Sequence, residues 1–175
     1  MAKQRISVNL YTDELIYEVL NKSYLTGRSQ QEGKDIEQAA NMQASEDEED
    51  KNQISRSIQR ALSVVHNSLA EYIDNPPQQP DESVDEYAAD NTLLDTDSNS
   101  TITVNINMPS NFNTSMTDSV AQSIHSFIVF KALAEWFAIT NDSEREKYEA
   151  MAQKCLAVIR SALNRRLRPA YKPRT

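Results

Sequence analysis

Ile54, Ile58, Leu62, Val65, Leu69 and the Tyr72/Ile73 pair follow one another at intervals of three or four residues. The series is cut off by the run Asn75 to Pro80, which holds three prolines. That spacing lays one apolar stripe along a helix, because residues three and four apart share a helical face. Proline neither donates a backbone hydrogen bond nor fits inside a continuing helix. A chain with such a stripe must cover it, so the fold is built from helices packed side by side.

The other segments supply the partners. Ile6, Val8 and Leu10 alternate with Arg5, Ser7 and Asn9, the pattern of a short strand with one buried face. Thr12 reads as an N-cap with Asp13 and Glu14 in the first turn, where the helix dipole favours acids. Leu15, Ile16, Val19, Leu20 and Tyr24 share one side, and Gly27 is expected to end this helix. A third helix is expected from Thr114 or Ser115 through Phe137. A fourth starts at Ser143, with Glu146 completing a capping box, and continues through Leu167 until Pro169 stops it. The connector Asn141 to Ser143 is too short for any arrangement but antiparallel neighbours. A short helix over Asp35 to Ala44 is compatible with the sequence but has few apolar anchors.

Between the second and third helices, Leu93-Leu94, the turn-rich Asp95 to Ser100 and the segment Thr101 to Met108 read as a β-hairpin. Ile102, Val104, Ile106 and Met108 share a face of its second arm. Two isolated strands are marginal in water, so the Ile6–Leu10 strand joins them or the hairpin lies on helices. The expected fold is mainly α: one domain over residues 1–175, an antiparallel helical bundle with an inserted β-hairpin (92–108) and a short N-terminal strand. Residues 30–50 and 74–92 read as acidic, flexible loops, and 165–175 as an extended basic arm.

Charge is unevenly laid out. The 175 residues carry 26 acids and 18 bases, a net charge of −8. Seven of the bases follow residue 150, where there is no acid, leaving 11 bases against 26 acids in the rest. Ala61 to Phe130 contains ten acids and neither lysine nor arginine, and Glu46 to Asp50 are five consecutive acids. Such blocks steer partners rather than set a fold. Two prolines, Pro169 and Pro173, keep the end of the chain extended, and Arg165, Arg166, Arg168, Tyr171, Lys172 and Arg174 give it the chemistry of a docking arm. A solvated, fraying terminus is the plainer account of the same residues. Arginine forks grip carboxylate and phosphate alike, so an acidic protein groove and DNA both remain open as partners.

Chemistry-bearing residues are sparse. The histidines, His66 and His125, form neither HExxH nor ExxH, and each reads as a structural or interface residue. Cys155, the lone cysteine, lies on the apolar stripe of the last helix, so no intrachain disulfide or cysteine zinc cluster is possible. Gly27 and Gly33 stand alone, which excludes a glycine-rich phosphate loop. Asp95, Asp97 and Asn99 imitate the start of a calcium loop, but Ser100 replaces its glycine and Ile106 its bidentate glutamate. Phe127, Phe130, Trp136 and Phe137 read as core aromatics, with the three-residue spacing of Phe127 and Phe130 leaving open that one aromatic faces a neighbouring subunit instead. No nucleophile, base and oxyanion set is visible, so the expectation is no catalysis, no cofactor and no metal. Met1 to Arg5 is followed by no apolar run of signal or membrane-spanning length, and the expected chain is intracellular and soluble, with no membrane partner.

Three stretches resemble the small head–tail connector (adaptor) proteins of tailed bacteriophages and prophages, most closely those of gut Bacteroidetes. They are Ile6–Leu10 followed by Thr12–Gly27, the run Lys131 to Thr140 (KALAEWFAIT), and Tyr148 through Arg168-Pro169. The resemblance implies a virion structural protein of the neck, assembled in the host cytoplasm. It implies a homo-oligomeric ring, commonly of twelve copies, that docks beneath the portal, meets tail or neck proteins and lets DNA through without reading its sequence. Carried onto this chain, Arg165 to Arg174 become the docking arm. Thr92 to Met108, with Ile102, Val104, Ile106 and Met108, become an inter-subunit hairpin. The alternative is a cytosolic adaptor or regulator that binds nucleic acid through the same basic arm. The overall acidity weighs against a dedicated DNA-binding domain, whose footprint is basic.

Overall fold

The computed structural model describes residues 3–30, 40, 42–45, 47–73 and 101–167. Strand β1, Lys3–Tyr11, runs directly into helix α1, Thr12–Gln30. Helix α2 spans Glu48–Ser68, strand β2 spans Thr101–Pro109, and a 3-10 turn at Thr114–Met116 leads into α3, Thr117–Thr140. Helix α4, Asp142–Leu163, closes the order. The protein is mainly α with one small antiparallel sheet, the class its periodicities predict.

The sheet joins segments nearly a hundred residues apart. β1 and β2 pair antiparallel, with Lys3 opposite Pro109 and Tyr11 opposite Thr101. Alternation divides its faces cleanly. Ile6, Val8 and Leu10 meet Val104, Ile106 and Met108 beneath the sheet, all buried. On the outer face Ser7 Oγ donates to Asn105 Oδ1 at 2.9 Å, and Thr103 Oγ1 donates to Asn9 Oδ1 at 3.1 Å. A two-stranded sheet lasts because its apolar face rests on helices. The first hairpin arm, Leu93-Leu94, the Asp95 to Ser100 turn and most of the expected Asp35–Ala44 helix lie outside the described residues, as does all of the 74–92 segment.

Helix α3 is the hub. Val120, Ile124, Phe127, Ile128, Val129, Ala132, Leu133, Ala134 and Phe137 are buried and point around its whole circumference, the signature of a central helix. Polar contacts tie its neighbours to it: Glu18 of α1 meets His125 at 3.5 Å, Arg60 of α2 pairs with Glu135 at 3.1 Å, and Lys131 pairs with Glu149 of α4 at 2.7 Å. Thr26 Oγ1 bonded to Tyr148 Oη at 2.8 Å, Met42 O just before α2 accepting from Trp136 Nε1 near the end of α3, and Tyr72 just after α2 donating to Asn164 beyond the end of α4 fix the directions. α1 and α3 run one way, and α2 and α4 run back.

Element ends depart from the sequence expectations for local reasons. α1 runs past Gly27 to Gln30, because Gly27 is buried against the bundle and that packing offsets its poor helix propensity. α2 stops at Ser68; Leu69 to Tyr72 turn, and Ile73 bridges Ile106 while Asn107 N donates to Tyr72 O. The end of the stripe therefore serves the sheet edge. α4 is capped by Asn141, whose side chain accepts from the amides of Ser143 and Glu144, so the cap stands two residues before the expected Ser143, which lies inside the helix. It ends at Leu163, four residues short of Leu167.

Candidate functional site

The root of the C-terminal arm is built by a tight turn. Pro109 ends β2, Phe112 N returns to Pro109 O at 2.9 Å, and the Phe112 ring is fully buried. That anchor presents the backbone of Asn111 and Asn113 to the chain leaving α4. Asn113 N donates to Arg165 O at 3.2 Å, Leu167 N donates to Asn111 O at 2.8 Å, and Phe112 bridges Arg166. The arm is thus clasped to the end of the sheet before its prolines begin.

Its arginines divide in role. Arg166 Nη1 donates to Leu163 O at 2.6 Å, satisfying an end carbonyl of α4 where a cation suits the dipole. Arg165 is exposed and enters none of the ion pairs among the described residues. Arg5, exposed and opposite Asn107, stands on the same end of the sheet. Arg168, Tyr171, Lys172 and Arg174 lie outside the described residues.

β2 offers a neighbour a different set of side chains from the one expected. Val104, Ile106 and Met108 are buried in the chain's own core, and Ile102 packs against it. Strand alternation directs them inward, so what β2 leaves accessible is its opposite, polar face of Thr101, Thr103, Asn105 and Asn107. The acidic run has a local use: Glu48, Glu49 and Asp50 fill the first turn of α2, and Asp50 Oδ2 accepts from Ser45 N and Oγ, both at 2.7 Å.

The two histidines stand in different settings. His66 is exposed, whereas His125 meets Glu18 and its Nε2 is enclosed with no hydrogen-bond partner. Burial pushes the Cys155 thiol pKa up. Burial also acts most strongly on Glu149, in the raising direction. Hydrogen bonds from Lys131 and Gln153, with the charges of Lys131 and Arg145, together outweigh it and hold that carboxyl below the usual range. Among the described residues, no three His, Cys, Asp or Glu side chains gather as a metal site, and no helix is long and apolar enough to cross a membrane. The residues imitating a calcium loop lie outside the described set, except Ile106, which is buried.

Sequence reasoning missed the clasp at Asn111–Asn113, the Glu18–His125 pair and the seat of Met42. Met42 is buried and its carbonyl accepts from Trp136 Nε1 at 2.9 Å. Each joins positions remote in sequence, and only the phenylalanine flanked by asparagines after Pro109 hinted at an anchored turn. Comparison with protein-family models, curated proteins and solved structures returned no match for this chain.

Proposed function

We propose that this chain is a virion structural protein, a ring-forming head–tail connector that docks under a portal through its basic C-terminal arm and performs no catalysis. The observation carrying this reading is the clasp of Arg165–Leu167 on Asn111–Asn113, which gives the arm a fixed root. An arm rooted this way leaves the bundle at a defined point, so less ordering is needed when it docks. A terminus that merely frays has no use for a two-bond ladder and a buried phenylalanine beneath it. The copies form a ring, commonly of twelve in the resembled proteins, around DNA that passes without sequence recognition. The net charge of −8 suits that passage, since like charge keeps DNA from adhering.

The test is binding of the full chain to purified rings of the portal protein encoded alongside it. Arg168→Glu, Lys172→Glu and Arg174→Glu together should abolish binding while leaving the thermal melt unchanged. Failure of the unaltered chain to bind portal overturns the proposal. Duplex-DNA binding that falls steeply with salt and is lost in the same triple variant supports the nucleic-acid adaptor instead.

A further inference from the structure

Two outward helix faces match each other in height, shape and charge. On α1 the exposed residues Glu14, Tyr17, Asn21, Tyr24 and Arg28 follow at steps of three and four, so they form one stripe. Tyr17 is 69% exposed and Tyr24 45%, large rings left in water. On α4 the exposed residues Glu146, Ala150, Gln153, Ala157 and Arg160 form a stripe with the same steps in reverse order.

The heights come from contacts within the chain. Thr26 bonded to Tyr148 sets those residues level across α1 and α4. Independently, Glu18 is level with His125, and Lys131 with Glu149, so on antiparallel α3 and α4 His125 is level with Cys155. The two markers agree to within about one residue, a rise of about 1.5 Å. At that register Glu14 stands level with Arg160, Tyr17 with Ala157, Asn21 with Gln153, Tyr24 with Ala150, and Arg28 with Glu146. The stripes do not face each other inside one molecule. The α3 side chains that meet α1 and α4, His125 and Lys131, are six residues apart, about 120° around the helix.

We propose that a second copy of this chain docks its α4 stripe on the α1 stripe of the first, as an antiparallel helix pair between copies standing side by side. Each tyrosine lies over an alanine, so ridge meets groove. The Asn21–Gln153 layer is polar in the middle, a device that fixes register. Opposite charges close both ends. None of Glu14, Arg28, Glu146 and Arg160 enters an ion pair among the described residues, whereas the neighbours Arg145 and Lys147 are paired with Asp142 and Glu144. Donor and acceptor faces differ, so the contact is heterologous and repeats from copy to copy. The pairing rests on the connector reading only in taking the copies to stand at equal height.

The experiment is oxidative cross-linking of the full chain at high concentration, with Tyr24→Cys and Ala150→Cys combined in a Cys155→Ser background. The level pair should give a ladder of covalent oligomers, and the offset pair Tyr24→Cys with Ala157→Cys should not. Arg160→Glu should weaken self-association by roughly tenfold, and adding Glu14→Arg should restore it. Equal ladders from both pairs, absence of a ladder, or failure of the double charge reversal to restore association overturns the proposal. A chain that ladders through the level pair yet ignores portal rings keeps this surface and loses the connector function. A chain that binds portal without the ladder does the reverse.

Discussion

Replacing Phe137 by alanine tests the packing on which every surface described above depends. The ring is fully buried and stacks on Tyr148 of α4, centroids 5.3 Å apart and planes 14° from parallel. Phe130 approaches the same tyrosine at 6.2 Å. Truncating a buried phenylalanine removes its transfer free energy and leaves a cavity, costing about 3–5 kcal/mol. A domain of this kind holds only about 5–15 kcal/mol in total, so the loss is a large share of it. For a chain of this length each kcal/mol moves the midpoint by about 2–4 °C, so Tm should fall by roughly 6–20 °C. Tyr148→Phe provides the contrast, since it keeps the ring and deletes only the bond to Thr26 Oγ1, a loss of about 0.5–1.5 kcal/mol. Thermal and urea unfolding followed by helical circular dichroism measures both. A Phe137→Ala loss under about 1 kcal/mol, or one no larger than that of Tyr148→Phe, refutes the idea that α3 and α4 are held by this aromatic stack.

Three further outcomes follow from individual residues. Asn141→Ala strips the cap from two amides at the start of α4 and should cost about 1 kcal/mol in urea unfolding, with Asn141→Asp close to the unaltered chain. Glu149 is held below the usual carboxylate range in the folded state, so its ionised form stabilises the fold above the unfolded-state pKa. That contribution is lost as pH falls through the lower folded value, and the stability gap to Glu149→Gln should shrink in acid; a gap constant from pH 7 to acid contradicts it. The Cys155 thiol, raised by burial, should react with a maleimide near neutral pH more slowly than free cysteine, and a rate equal to that of the free thiol contradicts its partial burial.

What the sequence discloses is what repeats locally. The stripe from Ile54 to Val65 and the alternation of Ile6 to Leu10 are periodic, and both form the elements their periods imply. The short Asn141 connector forces two helices together, as found. Leu69, Tyr72 and Ile73 continue the helical spacing and yet leave the helix. A bridge to Ile106 becomes available once β2 lies there, and no local pattern announces it. The inward face of β2 was legible as apolar but not which core it enters; Val104, Ile106 and Met108 fill their own chain's core. Arg166 looks like its neighbours in sequence, and only the nearby carbonyl of Leu163 distinguishes it. The level stripes on α1 and α4 are invisible in the sequence because their register is set by contacts between residues remote along the chain, Thr26 with Tyr148 and the pairs through α3.

The most direct test of the account is the mass of the native assembly. Native mass spectrometry of the full chain, alone over a range of concentrations and mixed with portal rings, should show stepwise oligomers by itself and a defined number of copies on each ring. A chain that stays monomeric throughout and leaves the mass of the portal unchanged contradicts it.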